Sequence, residues 1–251
     1  MNKKTIFFFR FFLLTSIIAL SQTNKQYAKA KISYSVKTYI DKKLPSYKFL
    51  QQRSPELLSK RETIASEFDF SLVFNDSTSL FYLEQKLYSD NNAANMALID
   101  AAYFGRIRQE TNNFITEELQ EDFGKFLVAR SYQEWKLHDE TKTIGDYVCF
   151  KATTFYTTTN PKGKVFTHNY TAWYTPQLPY KFGPAGFGNL PGLIIELQGE
   201  KATYGVKKIV FYDDEQIKEN KMPELKRKKL ITEVEFEKLA AEDEKRWLNK
   251  N

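Results

Sequence analysis

The sequence predicts a mainly β fold: one strongly curved antiparallel sheet, a half-barrel or open barrel, with a C-terminal helix. Three observations predict it. Apolar residues recur with period two in short runs that follow one another closely. Turn sequences separate those runs without strand-helix alternation, which favours a meander over a parallel sheet. The 251 residues include 21 Phe and 15 Tyr against 10 Gly and 8 Pro, an aromatic load that suits strands and supplies a large core.

The first segment stands apart from that sheet. Lys3, Lys4 and Arg10 surround the apolar residues Ile6 to Phe9 and Phe11 to Leu20, a stretch too short and too basic in its middle to span a bilayer, as in a secretory signal. Ala19-Leu20-Ser21 offers small residues where a signal peptidase inspects the chain, so cleavage is expected after Ser21, leaving Gln22 first. The expected organisation is a signal peptide over 1–21 and a single antiparallel β domain with its helix over 22–251. The expected location is periplasmic or secreted, with no membrane span left after cleavage.

Removing residues 1–21 lowers Lys+Arg from 37 to 34 against 31 Asp+Glu, so the net charge falls from +6 to +3. The densest basic run then left is Lys226-Arg227-Lys228-Lys229, which reads as a solvated helix face, and nucleic acid is not an expected partner. Cys149 is the single cysteine, so the core must hold without an internal disulfide. Between Val148 and Phe150 it reads as a small buried apolar residue.

Along the chain, Lys31 to Lys37 alternates polar and apolar residues and predicts a strand. Asp41 to Ser66 reads as a loop with a short helix begun at Ser54-Pro55-Glu56. Glu67 to Phe74 and Thr78 to Leu83 form a hairpin about Asn75-Asp76-Ser77. Residues 85–99 lack a period, and Asn91-Asn92 suggests a mobile excursion. Strands are expected over Ala102 to Arg108, Asn113 to Glu118 and Lys125 to Tyr132, with another led by Trp135-Lys136-Leu137. Thr143-Ile144-Gly145-Asp146 turns the chain into Tyr147 to Tyr156. Asn160-Pro161-Lys162-Gly163 then joins Cys149 to Thr158 with Lys164 to Tyr174 as a hairpin. A Pro- and Gly-rich loop from Thr175 to Gly192 precedes a hairpin of Leu193 to Gln198 and Thr203 to Phe211 about Gly199-Glu200. Thr232-Glu233-Val234-Glu235 has capping-box spacing, and Phe236, Leu239, Ala240, Trp247 and Leu248 share part of one helical face. That closing helix is expected to cover part of the concave face.

The stretch Gly183-Pro184-Ala185-Gly186-Phe187-Gly188-Asn189-Leu190-Pro191-Gly192-Leu193-Ile194 resembles the GLPGLI family of exported Bacteroidetes proteins. Trp135-Lys136-Leu137, Glu140 to Ile144, Tyr147, Cys149, Lys151-Ala152 and Thr171 to Pro176 resemble its other recurrent stretches in the same order, so the resemblance runs from about 126 to 212. The family's first motif glycine corresponds to Asn189. Asn is among the commonest non-Gly visitors to the left-handed region, which would keep the turn; were that glycine needed for close approach of a partner, the Asn side chain would obstruct it. The resemblance implies export, no established activity, and partnership with TonB-dependent outer-membrane receptors.

The chemistry-bearing residues are sparse. Gly186-Phe187-Gly188 precedes a strand and lacks a following Lys-Ser/Thr, so neither a phosphate loop nor a dinucleotide fingerprint is supported and no cofactor is expected. His138 and His168 are the only histidines. With Asp139, Cys149 or Glu196 they lack the close spacing of zinc ligands, so no metal is expected. No Gly-x-Ser-x-Gly elbow marks a hydrolase, and no catalytic residue is assigned. Leu190, Leu193 and Ile194 are expected to dock the Gly-Pro loop on the core. As a binding surface the loop and its surroundings offer Trp173, Tyr174, Pro184, Phe187, Asn189, Leu190, Pro191 and Gly192. The leading expectation is an exported, non-catalytic binding or accessory protein of the cell envelope, engaging an outer-membrane protein or an apolar ligand. The alternatives are a metal-dependent or other hydrolase, with His168 as acid-base or ligand residue, and a structural scaffold.

Overall fold

Strand β1 (Ala30–Thr38) buries Ala30, Ile32, Tyr34 and Val36 and turns the residues between them outward, the alternation that a half-buried strand requires. The computed structural model describes residues 27–120, 124–159, 163–225 and 229–248. The proposed leader, its cleavage site, residues 160–162 of the Asn-Pro-Lys-Gly turn, residues 226–228 of the basic run and the side chains of Trp247 and Leu248 lie outside the described part.

After β1 come two helices, α1 (Pro45–Arg53) and α2 (Pro55–Ser66), instead of one short helix in a loop. Each begins on a proline, whose fixed φ suits a first helical turn, and Leu58, Ile64 and Ala65 seat α2 on the core. Ser54 occupies the cap position as expected, but its side chain makes no capping bond. Strands β2 (Asp69–Phe74) and β3 (Ser79–Leu83) form the expected hairpin. Asn75 Oδ1 accepts from the Ser77 and Thr78 N–H groups, each at 3.0 Å.

Residues 85–99, to which the sequence assigns no element and where Asn91-Asn92 suggests a mobile excursion, run into helix α3 (Asn91–Asp100). Asp90 caps it, Oδ1 accepting from Asn92 N at 3.0 Å and Ala93 N at 3.1 Å, while Ala93, Ala94 and Ala97 are buried. Strand β4 (Ile107–Gln109) is only three residues long. The expected strand from Ala102 fails because Ala102 itself leaves α3 at φ 54°, a left-handed turn that cannot continue a ladder.

Then follow β5 (Asn113–Gln120), β6 (Gly124–Ser131), β7 (Lys136–Ile144), β8 (Tyr147–Thr159) and β9 (Val165–Thr175). The chain continues through β10 (Leu193–Gln198), β11 (Ala202–Phe211), α4 (Asp214–Glu219), β12 (Lys229–Thr232) and α5 (Glu233–Leu248). The predicted capping box opens α5: Thr232 N donates to Glu235 Oε2 at 2.7 Å, and Glu235 N donates to Thr232 Oγ1 at 3.2 Å. Lys229 belongs to a strand, not to a helix face.

The strands form one twelve-stranded sheet in the order β12-β6-β5-β4-β3-β2-β1-β11-β10-β9-β8-β7. Every pairing is antiparallel except β12 with β6, which is parallel, because α4 and its flanks bring the tail back to run alongside β6. Register shifts at Ser33/Tyr34, Ile194/Glu196 and Leu137/Thr141 add local twist and curl. The sheet does not close.

Aromatic rings fill its middle. Phe70 stacks on Phe81 at 5.3 Å and meets Tyr103 and Tyr204 edge-on at 5.0 and 5.2 Å. The polar tips are satisfied: Tyr34 OH donates to Ile194 O at 2.6 Å and Tyr204 OH to Ala101 O at 2.7 Å. Burial pushes the Tyr103 phenol up to about 12 and Tyr34 and Tyr204 further, so all three stay neutral; Tyr103 OH accepts from Leu83 N at 3.1 Å.

Candidate functional site

β6 and β7 are consecutive in the chain yet lie toward opposite ends of the sheet. The chain must therefore cross from one end to the other over Tyr132 to Trp135, and this crossing ties the ends together: Thr154 Oγ1 donates to Glu134 O at 2.7 Å, and Trp135 Nε1 donates to Gly188 O at 2.8 Å. Beside the crossing the β6 and β8 edges remain apart, leaving a slit of about 850 Å3. That volume lies within the range of small-ligand sites.

The loop after β9 builds the floor. A 3-10 turn over Pro184–Gly186 ends in Phe187, with Ala185 at φ 53° and Gly186 at φ 83°. A Cβ at Gly186 would stand 3.0 Å from the Phe114 ring, so both the left-handed backbone and the close approach call for glycine. Gln109, fully buried on β4, clamps the loop: its Nε2 donates to Phe187 O at 2.8 Å and its Oε1 accepts from Gly183 N at 3.2 Å. Phe187 then stands against Tyr170 at 4.3 Å and Trp135 at 6.0 Å, and Tyr156 stacks on Tyr170 at 5.8 Å. Burial raises the Tyr170 phenol far above its ordinary range, with Tyr156 adding to the shift.

Opposite this aromatic wall, Arg130 is held by Glu118 at 3.1 Å, by Glu233 of α5 and by Thr116 Oγ1 at 3.3 Å, with Phe236 beneath its guanidinium at 5.7 Å. The first two turns of α5 thus border the slit through Glu233 and Glu237. Phe236, Leu239 and Ala240 are half-buried along its inner face.

Of the eight residues singled out from sequence, Phe187 lines the slit. Leu190, Leu193 and Ile194 are essentially fully buried and seat the loop on the core, as expected. Pro184, Gly192 and Tyr174 are also buried. A Cβ at Gly192 would lie 2.2 Å from the Thr175 carbonyl oxygen, so this glycine serves backbone packing. Asn189 and Pro191 are exposed and are not among the residues lining the slit. Asn189 adopts φ 64°, the conformation inferred for it. Trp173 lies on the other face of β9 from His168 and Tyr170, under Lys142 Nζ at 4.3 Å.

His168 lines the slit, its ring 4.9 Å from Tyr156, its Nε2 2.8 Å from Thr158 Oγ1 and its Nδ1 3.8 Å from Glu200. His138 is elsewhere, paired with Thr153 Oγ1 at 2.8 Å. Among the described residues no three His, Cys, Asp or Glu side chains gather as a metal site. Cys149 is fully buried, and burial pushes its thiol up to about 11, which suits a packing residue and not a nucleophile. Gln109, Arg130, Glu118 and Tyr156 were missed from sequence. None belongs to a motif, and only the curl of the sheet brings them together.

Among the described residues no helix is long and apolar enough to cross a membrane. Residues 160–196 are similar to a Bacteroidetes-associated family described as "Protein of unknown function (Porph_ging)". No curated protein matches the chain. Two solved structures of PNGF-II, in C2 and P21 space groups, are similar at 15% and 14% identity, each with a TM-score of 0.46 over 84% of this chain. The chain spans about a third of their length, 32% and 33% respectively.

Proposed function

We propose that this protein is an exported, non-catalytic binding protein of the cell envelope, with the slit between β6 and β8 as its ligand site. The observation that carries this reading is an open volume of about 850 Å3 faced by the rings of Phe114, Tyr132, Trp135, Tyr156, Tyr170 and Phe187, an apolar wall with polar groups at its margin, as ligand sites have. The finer family reading is membership of the GLPGLI group, with a TonB-dependent outer-membrane receptor as partner. It is supported by the Gly183 to Ile194 stretch, which falls within the similar segment 160–196.

Titration with the neutral aromatic dye N-phenyl-1-naphthylamine tests the site. One dye per protein should bind, and Phe187→Ala should weaken it about tenfold, the equivalent of roughly 1.4 kcal/mol. No dye binding, or binding indifferent to Phe187→Ala, defeats the reading. Export is tested by N-terminal sequencing of protein from the native host, which should begin at Gln22. The hydrolase alternative keeps one supporting observation, His168 beside Glu200 in the slit. Ester or amide turnover lost in His168→Ala would favour it.

A further inference from the structure

We propose that the slit receives an extended, basic segment of another protein, which adds as a strand to the free edge of β8. This rests on the reading of the slit as a binding site and names its occupant. β8 pairs with β7 only as far as Thr153. From Thr154 to Thr159 its pairing among the described residues is with β9 alone. Peptide groups point alternately to the two sides of a strand. Val148 N–H points to the β9 side, where it donates to Gln177 Oε1 at 2.8 Å. The register from Phe150 to Thr159 is unbroken, so Phe155, Thr157 and Thr159 direct their N–H and C=O groups to the open side. Thr154 through Thr158 line the slit consecutively, as a strand presenting its edge does.

The opposite wall ends in the same way. β12 covers β6 only from Phe126 to Ala129, so among the described residues Arg130 and Ser131 pair with β5 alone. An extended segment laid between them would continue the sheet from one free edge toward the other.

Sheet edges are usually blunted by charge, proline or a bulge. The terminal strand beside β8 follows that rule: β7 carries Lys136, Asp139, Glu140 and Lys142 and is irregular between Leu137 and Thr141. The β8 edge reads Thr-Phe-Tyr-Thr-Thr-Thr, with no charge, no proline and high β-propensity. An edge left this receptive suits strand addition. Six residues at about 3.3 Å each set the docked length at about 20 Å.

Charge selects the occupant. Six glutamates, Glu117, Glu118, Glu134, Glu200, Glu233 and Glu237, line the slit against Arg130, Lys201 and His168; Glu118 and Glu233 hold Arg130, and Glu200 lies 3.8 Å from His168 Nδ1. A guest with Lys or Arg at alternate positions complements that field. A second copy of this chain would bring the same glutamates to the edge.

The test uses the intact exported protein and two labelled libraries of eight-residue peptides. One alternates β-branched residues with Lys or Arg, and the other alternates them with Asp or Glu. Fluorescence anisotropy should show binders in the basic library and at least tenfold weaker binding throughout the acidic one. Thr157→Pro removes one edge N–H while leaving β9 pairing intact, and should weaken the basic peptides at least tenfold. N-methylation of alternate peptide residues should do the same without altering the protein, so the result stands even if Thr157→Pro fails to fold. Equal affinity for both libraries, or indifference to N-methylation, overturns the proposal. Dye binding with no peptide binding overturns it while leaving the slit as a ligand site; failure of both removes that site as well. A dimer broken by Thr157→Pro would assign the edge to a second copy and also overturn it.

Discussion

The middle of the sheet and its two ends are built from the same kinds of residue and finish differently. Around β1, β2 and β3, Tyr34, Phe70 and Phe81 are fully buried and each ring meets another. At the ends, Phe114, Tyr156 and Phe187 are only half-buried, facing the slit. Aromatic content therefore does not distinguish core from site here; closure does. Where neighbouring strands complete the ladder, rings are sealed. Where β6 and β8 stop short of each other, rings and backbone edges remain available.

That contrast breaks if the middle tolerates truncation. Phe70→Ala removes a ring in contact with Phe81, Tyr103 and Tyr204, and should cost about 3–5 kcal/mol in urea unfolding. Gly192→Ala drives a Cβ against the Thr175 carbonyl and should cost about 1–3 kcal/mol. An unaltered midpoint would mean that the loop is not pinned as described. At the ends the effect shifts from stability to binding: Phe187→Ala should act mainly on the dye titration.

Acid sharpens the comparison from another side. Hydrogen bonds from Lys207 at 2.7 Å and Lys86 at 2.5 Å hold the Asp69 carboxyl below its ordinary value of 3.8. A group depressed in the folded state contributes stability above its unfolded value and loses it as pH falls through the folded one. Thermal midpoints should therefore drop with acidification below about pH 4, and Asp69→Asn should flatten that limb. The smallest effect is expected at Asn189→Gly, since Asn189 already occupies the left-handed region; a change under about 1 kcal/mol is expected.

Much of the fold was legible because local chemistry agreed with the final structure. The alternation of β1, the Asn75 turn, the Gly145 turn at φ 58° and the Thr232 capping box each carry their own signal. Helix α3 was not legible, because its buried face is made of Ala93, Ala94 and Ala97, residues too small to give a strong period. Of the residues that line the site, the sequence singled out Phe187 and His168. Arg130 sits on β6, Tyr156 on β8 and Gln109 on β4, and no spacing in a single sequence reports that a curled sheet will set them around one volume. The open edge was hidden for a related reason: Thr154 to Thr159 has the pattern of any strand, and only the short reach of β7 leaves it unpaired.

Residue-resolved amide hydrogen exchange of the unliganded protein tests the unclosed edge most directly. The amides of Thr154, Tyr156 and Thr158, bonded to β9, should be protected, and those of Phe155, Thr157 and Thr159 should exchange much faster. Uniform protection from 154 to 159 would mean that β8 already has a partner on both sides, and that no slit stands open.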